Sequence, residues 1–231
     1  MISYNEFFEN ISMLQERVAD AARMAGRAAE EIRILPVTKT HPAEAVEFAL
    51  RAGLKAVGEN RVQEAVGKMA EISAGEVEWE LIGHLQSNKA AQAVGAFSRI
   101  QSVDSLKLAR RLDRLAGERG THLRCLIQVN SGEDPRKYGF QPQGFARELD
   151  TLLGLENLSV EGLMTIAPLE GGNEAARRAF ARLRELVEES RRQSGKGLPE
   201  LSMGMSGDLT EAVAEGSTLV RVGSALFGAR E

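Results

Sequence analysis

Lys39 ends an apolar, β-branched run, Ile34-Leu35-Pro36-Val37-Thr38-Lys39, and Thr40-His41-Pro42 lead from it into a helical pattern. A strand that carries an amine to its carboxyl end, with a helix leaving at once, is how an α/β barrel presents a reactive group. In an apolar mouth such an amine loses charge by desolvation and can attack a carbonyl to form a Schiff base. On this stretch alone, a strand-end lysine reaching for water is the simpler reading. Two more loops bear on the choice. Met203-Gly204-Met205-Ser206-Gly207-Asp208 and Arg221-Val222-Gly223-Ser224-Ala225 each combine small residues, a serine hydroxyl and a helix start. Such loops let backbone N–H groups gather around a phosphate. Glycines that merely permit tight turns explain either loop alone, but the pair on neighbouring strands points to a phosphate site. Arg221 falls inside the last strand pattern, where a guanidinium must be paired or bind something. Glu59 is one candidate partner and a pyridine nitrogen another, where a fixed cation opposes ring protonation.

The elements that must position these residues are legible as an alternation. A capping-box pair, Ser3 and Glu6, opens a helix with Phe7, Ile11, Leu14, Val18 and Ala22 on one face, and Gly26 stops it. Strand patterns follow at residues 32–38, 55–58, 79–83, 98–103, 123–129, 159–165, 199–203 and 218–222. Helical patterns separate them, among them 42–51, 142–153, the long 173–192 and the short 208–215. Asn60, Ser87 and Asp208 with Glu211 stand where caps are expected, and Leu226-Phe227 where the core would close. The Arg and Glu residues of 173–192 alternate as on a solvated, salt-bridged face. The 231 residues allow about 29 for each of eight units, which predicts a single (β/α)8 barrel over residues 1–231 with an extra N-terminal helix. A doubly wound open sheet is the alternative, but no strand carries G-x-G-x-x-G.

The net charge of −4 offers nothing to nucleic acid or an anionic membrane. Cys125, the one cysteine, lies in an apolar run and reads as core. No stretch nears the eighteen or so apolar residues of a membrane span, and the start of the chain lacks a basic and apolar leader. A cytoplasmic, monomeric protein is expected. His41, His84 and His122 are in no metal-ligand spacing. Gly204-Met205-Ser206-Gly207-Asp208 misses the hydrolase elbow G-x-S-x-G at its last residue. Tyr138 is the one acid/base candidate in a loop at the right end, against a packed loop aromatic, and His84 reads as an ordinary loop histidine near the mouth.

In order along the chain stand Val37-Thr38-Lys39-Thr40, Gly58-Glu59-Asn60-Arg61-Val62-Gln63-Glu64, Ile82-Gly83-His84-Leu85-Gln86-Ser87-Asn88-Lys89, Leu163-Met164-Thr165-Ile166, Leu201-Ser202-Met203-Gly204-Met205-Ser206 and Val220-Arg221-Val222-Gly223-Ser224. Together they resemble the pyridoxal phosphate homeostasis protein family, also called the YggS or PROSC family. The resemblance implies a barrel of the alanine-racemase type (fold type III) without a second β-domain, and pyridoxal 5′-phosphate (PLP) held as a Schiff base on Lys39. It further implies phosphate contacts from Met205, Ser206, Gly223 and Ser224, Arg221 facing the pyridine nitrogen, and Asn60 near the ring. The implied role is holding and handing over PLP to apo-enzymes, in vitamin B6 and amino-acid balance, without established catalysis. Glu80 departs from a histidine common after the tryptophan, Arg61 from an aromatic, and Tyr138 from a small or polar residue. A PLP-dependent amino-acid racemase and a cofactor-free Schiff-base aldolase are the rival readings.

Overall fold

Short β-branched runs alternating with amphipathic stretches can bury both faces of a sheet only if the strands run parallel under a layer of helices. The computed structural model describes residues 1–73 and 77–228. In chain order it runs α1 (Tyr4–Met24), β1 (Arg33–Pro36), α2 (Glu44–Arg51), β2 (Ala56–Glu59), α3 (Val62–Met69), β3 (Glu78–Leu81), α4 (Ala90–Ala96), β4 (Arg99–Val103) and α5 (Leu106–Glu118). Then come β5 (Leu123–Gln128), α6 (Pro142–Leu153), β6 (Leu158–Met164), α7 (Gly172–Ser194), β7 (Glu200–Ser202), α8 (Leu209–Ala214), β8 (Leu219–Val222) and α9 (Ser224–Phe227). The strands pair in parallel in the order β1-β8-β7-β6-β5-β4-β3-β2. β1 and β2 meet through a single bridge, Val37 to Gly58, with the Thr38 N–H donating to the Gly58 carbonyl at 3.1 Å. The predicted barrel is therefore present and nearly closed, with β1 and β2 joined thinly beside Lys39 and β7 and β8 sharing a single register pair.

The N-terminal helix forms as the sequence predicts. Ser3 accepts from the Glu6 N–H, and the Glu6 carboxylate accepts from Ser3 in return. The predicted apolar face is buried, with Phe7 stacked on Phe227 at 5.2 Å between ring centroids. Phe48, Leu209, Val213 and Leu226 complete that cluster, and Asn10 donates to the Leu226 carbonyl at 3.0 Å. Thus α1 lies over α8 and α9, and Leu226 and Phe227 close the core as expected. Three expected caps are not made. Ser87 falls in a 3-10 turn ahead of α4, Asn60 precedes the Arg61 cap position of α3, and the Asp208 carboxylate turns back to the Met205 N–H at 2.6 Å. Loop geometry took these polar groups before the helix ends could.

The interior of the barrel is polar along one line. Arg221 on β8 donates to Ser202 on β7 at 2.7 Å, and Ser202 donates to Gln101 on β4 at 2.6 Å. Gln101 in turn donates to Glu80 on β3 at 2.5 Å. Strands β7 and β4 are not neighbours, so the Ser202–Gln101 bond crosses the barrel. Glu80 also takes two parallel bonds from Arg99, each 2.8 Å, both side chains being fully buried. Glu161 and Glu200 complete the surroundings of Arg99. Removing one partner of such a pair strands a buried charge, which typically costs about 3–5 kcal/mol. Glu80→Leu leaves Arg99 with Glu161 and Glu200 but takes the acceptor from Gln101, so it should lower stability toward the low end of that range, about 3 kcal/mol, in chemical denaturation, and adding Arg99→Leu should recover part of the loss.

Candidate functional site

Lys39 sits two residues beyond the last bridge of β1, where Thr40 takes a left-handed backbone conformation (φ 66°). The side chain faces a cavity of about 560 Å³ at the carboxyl ends of the strands, within the range of small-molecule sites. Lys39, Asn60, Met205, Ser206, Arg221, Gly223 and Ser224, the seven residues singled out in the sequence, all line it. Asn60 is fixed there by close packing: a methyl group on Gly83 would sit 2.3 Å from the Asn60 carbonyl oxygen.

At one end the loops after β7 and β8 come together. The Ser224 hydroxyl donates to that of Ser206 at 3.2 Å, and the Ala225 N–H reaches the same Ser206 oxygen at 3.4 Å. Gly204 makes the turn possible, since it has φ 94° and a methyl there would meet Ala212 at 2.4 Å. Arg17 of α1 braces the loop by donating to the Ser206 carbonyl at 3.2 Å. Burial pushes the Asp208 carboxyl above its usual range.

Arg221 enters from the floor. Its Nη1 donates to Ser202 and its Nη2 to the Thr165 carbonyl at 2.8 Å, and burial pulls the guanidinium down to about 10. Of the two candidate partners, Glu59 does not pair with it. Glu59 is held instead by Lys68 and by the Thr38 hydroxyl, each at 2.6 Å. Lys68 lies only nine residues on and reaches the carboxylate first. Arg221 is thus a donor-only group held by a neutral hydroxyl and a carbonyl, suited to an acceptor atom in the cavity.

The far rim is built from loops that sequence reasoning covered only in part. The segment after β5 folds back through paired bonds, Asn130 N–H to Phe140 carbonyl and Phe140 N–H to Gln128 carbonyl, each 2.9 Å. This brings Arg136, Lys137 and Tyr138 to the cavity wall, and the Gln128 side chain secures the Tyr138 carbonyl at 2.9 Å. Arg136 and Lys137 were missed as lining residues; their signal was two cations in a loop at the predicted active end. Desolvation lowers the Lys137 ammonium. Tyr138 is 56% exposed and stacks on His84 at 3.7 Å, nearly coplanar. His84 is itself tied to Asp104, Nδ1 to Oδ2 at 2.8 Å. Cys125 lies in the core far from reagents, its thiol pushed up to about 12 by burial. Among the described residues no group of His, Cys, Asp and Glu is arranged to hold a metal, and no helix is long and apolar enough to cross a membrane.

Residues 10–231 match the model for the alanine racemase N-terminal domain. The pyridoxal phosphate homeostasis protein of Pseudomonas aeruginosa is 42% identical over 223 residues, spanning 96% of this chain and 95% of its own length. That of Aquifex aeolicus is 39% identical over 96% of this chain and 98% of its own. The chain belongs to the pyridoxal phosphate homeostasis protein family. A solved member of the family, PipY of Synechococcus elongatus with PLP bound, is 42% identical and superposes with a TM-score of 0.82, covering 91% of this chain and all of that one. The alanine racemase of Clostridium difficile shares the fold, with a TM-score of 0.75 at 16% identity, over 94% of this chain and 56% of the racemase. In this family member, Gly83→Ala should push Asn60 out of place and lower stability by about 1–3 kcal/mol, the usual range for overpacking, as read by denaturant titration.

Proposed function

We propose that this chain binds PLP covalently through Lys39 and carries it in PLP and amino-acid homeostasis, without a reaction of its own. The observation that supports this most directly is convergence: the strand-end amine of Lys39, two serine–glycine loops and one buried guanidinium line a single cavity. When bound, PLP supplies an aldehyde, a phosphate dianion and a pyridine ring. Lys39 is placed to supply the amine for the aldehyde. Ser206 and Ser224, with the backbone of Met205 and Gly223, are placed to donate to the phosphate. Asn60, on the same cavity wall, would face the ring. Arg221 has donors only, so it would face an unprotonated ring nitrogen and leave the ring a weak electron sink. That choice suits a carrier better than a catalyst.

A racemase needs acid/base groups on opposite faces of the reacting carbon. Tyr138, the candidate singled out in the sequence as a partner for Lys39, sits at the rim with its ring stacked on His84. A cofactor-free aldolase has no use for the serine loops. The recipients of the cofactor would be PLP-dependent apo-enzymes, and the carrier would act as a cytoplasmic monomer.

Borohydride reduction of the PLP-saturated protein, followed by peptide mass mapping, should place a phosphopyridoxyl group on Lys39. Lys39→Ala should lose it and keep the thermal unfolding of the parent chain. Unmodified Lys39 would send the reading back to the aldolase, and loss of optical purity in added amino acids would favour the racemase. Ser206→Ala and Ser224→Ala should each weaken PLP retention by about 0.5–1.5 kcal/mol, roughly two- to twelvefold in dissociation constant. Retention equal to the parent would assign the phosphate to backbone donors. Arg221→Glu should shift the absorbance of the bound cofactor.

A further inference from the structure

Lys68 lies on α3, a helix whose lysines would ordinarily reach outward, yet it is only 5% exposed. Its ammonium donates to three oxygens: the Thr38 carbonyl at 2.7 Å, Glu59 at 2.6 Å and Glu64 at 2.9 Å. An ammonium has three donors, and all are spent. The two carboxylates reach further along β1. Glu59 accepts the Thr38 hydroxyl at 2.6 Å, and Glu64 accepts the Thr40 N–H. The peptide groups on both sides of Lys39 therefore end on one charged cluster supplied by β2 and α3.

Thr40 supplies a second, independent observation. A β-branched residue at φ 66° is strained, and such strain persists only where the surroundings over-determine it. The Glu64 bond to the Thr40 N–H is part of what holds it. A cluster that served stability alone would be matched or bettered by apolar side chains of the same volume. This one is placed where direction matters, immediately around the amine.

We propose that Lys68, Glu59 and Glu64 form a clamp that positions the neutral amine of Lys39 to add to the carbonyl carbon of its ligand, the C=O bond giving way to C=N as the oxygen leaves with the two amine hydrogens as water. The inference rests on the reading of Lys39 as the PLP anchor. The three are positioning residues, acting through the backbone of Thr38 and Thr40. They set how readily Lys39 is committed to the ligand, while the serine loops set how well the phosphate is retained. The two effects are separable.

Glu64→Ala is the working variant, because the Glu64 side chain is 24% exposed and its loss leaves Lys68 paired with Glu59. Glu64→Gln keeps an acceptor for Thr40 and serves as the conservative rescue. Each folded protein is loaded with PLP, the retained cofactor is measured after gel filtration, and the fraction fixed to Lys39 by borohydride is mapped. In Glu64→Ala the initial rate of fixation should fall about tenfold, within the hundredfold that a misplacement of about 1 Å can cost, with retained PLP nearly unchanged. Glu64→Gln should restore most of the rate. Hydrogen exchange at the Thr40 amide of the ligand-free protein should quicken in Glu64→Ala and recover in Glu64→Gln. Equal fixation rates in the parent chain and Glu64→Ala would overturn the clamp alone, and unfolding of Glu64→Ala would recast the cluster as structural. No Lys39 adduct in the parent chain would overturn the anchor, and the clamp with it.

Discussion

A guanidinium buried inside a ring of parallel strands must have its donors occupied, and Arg221 imposes that demand on the barrel. Burial alone depresses its basicity, and no carboxylate among the described residues bonds to it. Its charge is instead met by aligned dipoles: a carbonyl from β6's end, and a hydroxyl that hands the polarity across the barrel through Gln101 to Glu80. Every bond in that line points its hydrogen away from Arg221 and toward the carboxylate. Chains of bonds so aligned reinforce one another in a low-dielectric interior. Glu80 thereby becomes the terminus of the line, with Arg99 as its direct counterion.

The cavity inherits its chemistry from this floor. One cation is fixed below, the Lys39 amine stands at the wall, and a pair of hydroxyls closes the opposite end. They are delivered by β1, β7 and β8, as parallel barrels do at their carboxyl ends. The rim is a different kind of structure, made of side chains on loops. There the His84–Tyr138 stack, anchored by Asp104, joins the segments after β3, β4 and β5.

How much of this could be read from the sequence depended on the range of the interaction. The alternation of strands and helices is local, and it placed the barrel and the helix ahead of it. Lys39, Arg221 and the two glycine–serine loops were legible because strand ends and glycine-rich turns reveal which end they occupy; Asn60 came from the family resemblance, and all seven line one cavity. Partner choice was not legible. Glu59 was one of two candidate partners for Arg221, yet a lysine nine residues on captured it. Lys68 itself reads as half of an i,i+4 surface pair with Glu64, and nothing local distinguishes that from a buried cluster. The missed caps share this cause: Asp208 had a closer donor in the turn before it than in the helix after it.

The thin seam between β1 and β2 gives the barrel a direction of compliance. On its other edge β1 is zipped to β8 over four register pairs, from Arg33 with Leu219 to Pro36 with Val222. Against β2 it has one bridge. On its far side β8 also meets β7 through a single register pair, Ser202 with Leu219. Lys39 and Ser224 thus follow the two strands of one firmly paired unit, so the amine and one serine of the opposite loop share a single backbone support.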